Sequence, residues 1–247
     1  MVSRAWIIGG TSGIGKACAD LLRKDMVTTS TGKDEFDVRQ SEHFWRHQIT
    51  DLQYPTHVVY SAGINYLNWL GEMGSNDSHQ DVIDVNLMGF IRLMNAMVWA
   101  GKLTHSADPP GMNKFHRGNY PFGVKPSIVV ISSDAAERPL RTSIGYCASK
   151  AGLNMAVKVA ARELGPHGWR INAVSPGMTS PTGMSDYVDE RVPEVRGWTP
   201  AEADRYERSQ EVVPGRIDPT EVAQVVYDVL MGPPHLNGSI VTINGGR

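Results

Sequence analysis

A doubly wound α/β domain, with one parallel sheet between two layers of helices, is the fold class that the sequence predicts. Three observations carry this expectation. Ala5–Ile8 is an apolar strand candidate that passes through a glycine turn into a helix-like segment, Lys16–Leu22. Ser127–Ile131 is a second short β-branched run, suited to a strand buried on both faces as parallel sheets require. The chain has 247 residues, a length at which one domain over 1–247 is the simplest organisation.

Taken in order, the first strand meets Gly9-Gly10-Thr11-Ser12-Gly13-Ile14-Gly15. Glycines there let the backbone turn tightly and approach a pyrophosphate, and the free N–H groups of the following helix receive its charge. Strand, glycine turn and helix thus stand in the order that a dinucleotide site needs. A strand around Val27–Ser30 is followed by a turn, Gly32-Lys33-Asp34-Glu35, and almost at once by Phe36-Asp37-Val38. His57–Ser61 reads as the next buried strand. Ser78–Trp99 reads as a long helix carrying Asn86, a residue that costs helix propensity. The segment 101–125 is polar and punctuated by glycine and proline. It carries Lys102, Lys114, Arg117 and Lys125 against only Asp108, and it is read as a surface elaboration at the N-terminal edge of the sheet in preference to a partner-binding segment. Its histidines, His105 and His116, have no clear metal-ligand spacing, so no metal site is expected.

Ser132 and Ser133 close the strand that begins at Ser127, and open α/β sheets present ligands at such strand ends. Tyr146 and Lys150 follow on a predicted helix, spaced i and i+4 and therefore on one face. A free phenol titrates near pH ~10, and a fixed cation beside it favours phenolate. With a hydroxyl from Ser133 meeting the same oxygen, these groups make a proton-transfer site for a carbonyl or alcohol. By spacing alone, a Tyr–Lys pair four apart is equally a solvated helix surface. Arg170–Gly177 reads as a further strand. After it, about 178–215 is acidic, Arg-bearing and only sparsely apolar, as expected of a substrate lid.

Composition bounds the rest. A net charge of −2 with no long basic run argues against a nucleic-acid partner. Cys18 and Cys147 both fall in predicted helices and form no disulfide framework, which fits a cytoplasmic location. No apolar run of membrane-spanning length and no signal-peptide pattern are read, so neither membrane nor export is expected.

Over nearly its whole length the chain resembles the short-chain dehydrogenase/reductase family, whose single Rossmann-like domain is a three-layer α/β/α structure. Gly9, Gly13 and Gly15 match the family's glycine loop, with Ile8 where Thr is usual. Tyr60-Ser61-Ala62-Gly63 stands in for its N-N-A-G element and keeps the Ala-Gly. Asn86, Ser133, Tyr146 and Lys150 match its catalytic tetrad, and Arg170–Gly177 and Ile243–Gly246 match its sixth strand and C-terminal end. Two departures stand out: the helix between the second and third strands is missing or reduced to a turn, and 101–125 replaces a short link.

The resemblance implies an NAD(P)-dependent oxidoreductase acting on a small carbonyl or secondary-alcohol substrate. Tyr146 would pass the proton, Ser133 would hold the substrate oxygen, and Asn86 would support a water relay. Lys150 would bind the nicotinamide ribose and hold the Tyr146 pKa well below that of free tyrosine. The implied cofactor contacts are Gly9, Thr11, Ser12, Gly13, Ile14 and Gly15 in the loop, then Ser61, Ala62 and Gly63, then Tyr146 and Lys150. Pro176, Gly177 and Thr179 follow near the carboxamide, whose usual Thr partner is replaced by Pro181 with Thr182 one place later. At the adenosine end, Asp37 with Val38 would meet the adenine. Gly32 stands at the family's acidic position with Lys33 beside it, which favours NADP(H); Asp34 and Glu35 leave NAD(H) possible. A homotetramer is expected from the resemblance and from the extra apolar residues of the helix Tyr146–Leu164. A non-catalytic dinucleotide sensor or scaffold is the alternative function. An epimerase or dehydratase is disfavoured because no separate C-terminal substrate domain is read.

Overall fold

Arg4–Ile8 (β1) sends alternate side chains to opposite faces of the sheet, and the rest of the core follows that division. A computed structural model describes residues 3–52, 54–72, 75–100, 104–105, 115–116 and 125–247. After β1 come α1 (Gly13–Leu22), β2 (Val27–Thr31), α2 (Glu42–Asp51), β3 (His57–Tyr60), α3 (Ser75–Ile83) and α4 (Gly89–Ala100). Two-residue strands β4 (Thr104–His105) and β5 (Phe115–His116) pair with each other. They precede β6 (Ser127–Ile131), α5 (Ile144–Leu164), β7 (Arg170–Pro176), α6 (Gly183–Arg196), α7 (Pro200–Arg208), α8 (Pro219–Met231) and β8 (Ile240–Ile243).

Six strands form one parallel sheet in the order β2-β1-β3-β6-β7-β8. On one face Trp6, Ile8, Val58, Tyr60, Ile128, Val130 and Ile171 pack against α2, α4 and α5. On the other, Ile7, Val59, Val129, Ile131 and Val174 pack against α1 and α8 through Cys18, Leu22, Val222, Val226 and Leu230. The expected doubly wound, three-layer α/β/α domain is therefore what forms. The strand order reverses between β1 and β3, and such a switch point opens a crevice at the C-terminal strand ends.

The edge beyond β2 differs from the expected pattern. The resemblance counts His57–Ser61 as a fourth strand and Arg170–Gly177 as a sixth, yet they are third and fifth in this sheet. Phe36-Asp37-Val38 pairs with no strand. Instead Phe36 packs edge-on against Trp6 and Trp45, with ring centroids 5.2 and 4.5 Å apart, and stacks on Phe44 at 5.4 Å. This aromatic cluster buries the exit from β2 without a third strand, and it draws on α2, a helix the sequence reading does not assign. The missing covering helix is as expected: Gly32–Glu35 is a turn, closed by a bond from Phe36 N–H to Gly32 O at 2.8 Å.

The helix carrying Asn86 is also not uniform. Between α3 and α4, Asp84–Met88 form a π-helical turn. Tyr60, the residue replacing the family's first Asn, donates its hydroxyl to Val85 O at 2.5 Å, and a Cβ on Gly89 would fall 2.0 Å from that oxygen. Ser78–Ala100, at 23 residues and mean hydropathy 1.3, is long and apolar enough to cross a membrane, contrary to the sequence reading. Half of it is buried inside the fold, and that packing accounts for its apolarity. Most of 101–125, including Lys102, Asp108, Lys114 and Arg117, lies outside the described residues.

Candidate active site

The glycine loop sits where β1 delivers the chain to α1. Gly9 and Gly10 both donate their N–H groups to Thr31 O, at 2.8 and 3.0 Å, fixing the loop to the end of β2. Gly9 has φ +80, and a Cβ there would lie 2.6 Å from Ala62 N. At Gly15 a Cβ would lie 2.1 Å from Gly9 O, so loop and helix approach as closely as only glycine allows. Ser12 caps α1 without a side-chain bond, and the first turn holds no acid. The first N–H groups of α1 are therefore left to an anionic ligand, and this cradle fits a pyrophosphate. Ser12, Gly13 and Ile14 line a cavity of about 710 Å³, whose opposite wall holds Ser133, Tyr146 and Lys150.

Around the chemistry, the tetrad is assembled as the spacing predicts. Ser133, buried at the end of β6, stands beside the Tyr146 phenol, accepts from Ala135 N–H at 3.2 Å and donates to Asp134 Oδ1 at 3.4 Å. Lys150 is buried, donates to Ile131 O at 2.9 Å, and has Nζ 5.6 Å from the Tyr146 ring centroid. Asn86 is fully buried. Its Oδ1 accepts from Ile64 N–H at 2.9 Å, and its Nδ2 donates to Ile64 O at 3.0 Å and Ser149 Oγ at 2.9 Å. A Cβ on Gly63 would sit 3.4 Å from Lys150 Nζ and 3.5 Å from Asn86 Oδ1, so these atoms converge on one point. Ser149 and Tyr60 are supports that the sequence reading did not single out.

The ionisation of the pair departs from the sequence expectation. Burial pushes the Tyr146 phenol up to about 12; the Ser133 hydrogen bond pulls it down without offsetting burial, and Asp134 and Cys147 add to the rise. Burial pushes the Lys150 ammonium down to about 8. Both shifts have one main physical cause, loss of water around a group that must charge.

At the adenosine end the candidates separate. Asp37 is clamped by Arg39, at 2.7 Å for the closest contact, and Arg39 also reaches Asp81 at 3.0 Å. Both Asp37 oxygens are engaged and its carboxyl is held below the ordinary range, first by the Arg39 hydrogen bond. Val38 is a core residue whose side chain faces inward, so only its backbone is left to contact an adenine. Lys33 is exposed and has no ion pair among the described residues. Glu35 turns back to accept from Gly32 N–H at 2.6 Å. Ser61 and Gly63 line the cavity, whereas Ala62 packs partly against the core. Thr11 stands against Gly32, at the β2 end of the loop.

Pro176, Gly177 and Thr179 line the cavity where β7 ends. Thr179 Oγ1 donates to Gly177 O at 3.1 Å, and Thr182 is occupied as the cap of α6, accepting from Ser185 N–H at 3.0 Å. The segment expected to act as a lid contains two capped helices, α6 and α7. Tyr187 and Val195 tie α6 to the loop after β3: the Tyr187 hydroxyl accepts from Leu67 N–H at 3.1 Å, and Trp69 Nε1 donates to Val195 O at 2.7 Å. Charged groups on the lid, invisible as a set in the sequence, line the same cavity.

Residues 121–246 match the family profile described as enoyl-(acyl carrier protein) reductase. The chain is 34% identical over 143 residues to the vibriobactin-specific 2,3-dihydro-2,3-dihydroxybenzoate dehydrogenase of Vibrio cholerae, covering 58% of this chain and 45% of that protein. It is 31% identical over 195 residues to the human (3R)-3-hydroxyacyl-CoA dehydrogenase, covering 78% of this chain and 62% of that one. These matches span less than two thirds of either relative. An actinorhodin polyketide ketoreductase variant, solved with NADPH, shares the fold at a TM-score of 0.82 and 23% identity, over 99% of this chain and 97% of its own. The profile match over half the chain, with the glycine loop, Ser133, Tyr146 and Lys150 around one cavity, shows that this protein belongs to the short-chain dehydrogenase/reductase family.

Proposed function

We propose that the protein is an NAD(P)-dependent oxidoreductase that moves a hydride between a nicotinamide and a small carbonyl compound or secondary alcohol. The observation that carries this reading is the meeting of Ser133 and Tyr146 hydroxyls beside buried Lys150, on a cavity bordered by the glycine loop. When bound, the dinucleotide supplies or accepts the hydride. Ser133 donates to the substrate oxygen and Tyr146 gives it a proton. Lys150 holds the ribose hydroxyls and restores the proton through a water that Asn86 keeps with its remaining Oδ1 lone pair. A phenol near 12 stays protonated at neutral pH, a state that serves carbonyl reduction. Helices α6 and α7 exclude water from the transfer. A panel of carbonyls and alcohols, followed by absorbance of reduced nicotinamide, tests the reading; saturable dinucleotide binding with no turnover across the panel would overturn it in favour of a sensor.

We further propose NADP(H) as the preferred cofactor. Lys33 is free to meet a 2′-phosphate, while Arg39 is spent on Asp37 and Asp81, and Glu35 is partly engaged by Gly32. Lys33→Ala is expected to weaken NADPH about tenfold, the size of one charge-assisted hydrogen bond, and to leave NADH within about twofold. Tighter binding of NADH than NADPH by the unaltered protein would reassign the rim to Glu35 and NAD(H).

The proposed assembly is a homotetramer, supported by apolar residues exposed on outer helices: Met155 and Val159 on α5 and Trp99 on α4. Light scattering should give four chain masses at micromolar concentration, and a monomer mass would count against it. A cytoplasmic location is supported by the free thiols of Cys18 and Cys147; fractionation into an oxidising compartment would contradict it.

A further inference from the structure

Four arginines line the cavity, and three of them are neutralised in place. Arg138 meets Asp134 at 2.7 Å. Arg216 bridges Asp189 and Glu207, at 2.6 and 2.7 Å, and Arg247 reaches Glu211 at 3.4 Å. Asp204, which also lines the cavity, is taken by Arg208 at 2.9 Å. The fourth arginine, Arg196 at the end of α6, pairs with no carboxylate among the described residues.

Its surroundings fix it without discharging it. The guanidinium lies 5.0 Å from the Trp198 ring centroid and 5.8 Å from that of Tyr206. One nitrogen, Nη2, donates to Arg141 O at 2.9 Å, and Nε is buried with no partner. Half-burial works against its charge, Tyr206 partly offsets that, and Arg141 adds a smaller like-charge repulsion. A cation held this way, on a lid facing the catalytic cavity, lacks only its anion. The rings occupy a guanidinium face, Nε is sealed and Nη2 already serves Arg141 O, so Nη1 with the second N–H of Nη2 is the edge left for the oxygens of a carboxylate.

Resting on the oxidoreductase reading above, we propose that Arg196 anchors a carboxylate of the substrate, so that the substrate class is an oxo acid or the corresponding hydroxy acid. The ion pair would form across the lid while the carbonyl meets Ser133 and Tyr146. Binding the acid would therefore also hold α6 closed over the site.

The test compares matched pairs, 4-oxopentanoate and benzoylformate against their methyl esters, with NADPH and with NADH. The unaltered protein is expected to favour each acid that it reduces over its ester by about tenfold or more in kcat/KM, the yield of a charge-assisted contact. Arg196→Gln should bring that ratio to within about threefold of unity, and Arg196→Lys, which keeps the charge and guards against a lid that fails to fold, should retain part of it. Esters reduced as well as the acids by the unaltered protein would overturn the Arg196 assignment while leaving the oxidoreductase reading intact. If no carbonyl is reduced, that reading fails, and calorimetric titration with benzoylformate decides for Arg196 alone. Saturable binding that weakens with salt and is lost in Arg196→Gln upholds the anchor; its absence overturns it.

Discussion

Tyr146→Phe is expected to lower turnover by about 100- to 10,000-fold, the range typical of losing a positioned acid or base. The ring and its packing stay, and only the hydroxyl beside Ser133 is removed. Dinucleotide binding should survive, because the loop from Gly9 to Gly15 and the Lys150 ammonium are untouched. Ser133 keeps its bond from Ala135 N–H and so its place at the end of β6. The measurement is kcat on any carbonyl that the unaltered protein reduces, beside a dinucleotide titration of the same sample. Near-normal turnover would remove Tyr146 from the chemistry.

Lys150→Met should be as damaging, by about 100-fold or more, and should also weaken dinucleotide binding, since one ammonium serves ribose and phenol together. Its pH dependence separates charge from shape. Burial places the folded-state ionisation at about 8, below the ordinary 10.5. The cation is therefore present below about 8, and kcat/KM for reduction should be level there and fall above it. Stability runs the other way. Between about 8 and 10.5 the unfolded chain still holds the proton that the folded chain has lost, so unfolding free energy should rise with pH across that window. In Lys150→Met both trends should vanish. Activity of the unaltered protein that stays level to pH 10 would show that the bound complex keeps Lys150 charged.

The parts legible in the sequence are those whose physics is local. A glycine loop between a strand and a helix is fixed by backbone sterics, and Tyr146 and Lys150 meet because helical periodicity puts residues four apart on one face. The strands were readable because a parallel sheet buried on both faces needs continuous apolar runs, as in Val58–Tyr60 and Ile128–Ile131. What was not legible depends on distant partners. Asp37 reads as available, and it is taken by Arg39, which Asp81 from far along the chain also holds. Asp37-Val38 match the pair that follows the family's third strand, yet no such strand forms before them, and aromatic neighbours draw Phe36 into the core. Arg196 reads as an ordinary end-of-helix cation, and its lack of a carboxylate among the described residues shows only once Arg138, Arg216 and Arg247 are seen with theirs. The Tyr146 ionisation was misjudged because spacing reports the cation's proximity and says nothing of how dry the site is.

The position of the segment 101–125 carries a consequence for how this chain tolerates added length. Ala100 ends α4 and Ser127 begins β6, so the segment joins the fold where strands start, at the end of the sheet away from Ser133. It lies within the long connection that must close before β3 can pair with β6. Closure entropy rises only logarithmically, by about 0.6 kcal/mol for each doubling of loop length. Residues gained or lost there change little in stability and displace none of the strand ends that hold the site. A tag or a second module spliced into this segment would thus be tethered at Ala100 and Ser127, at the end of the sheet opposite Ser133.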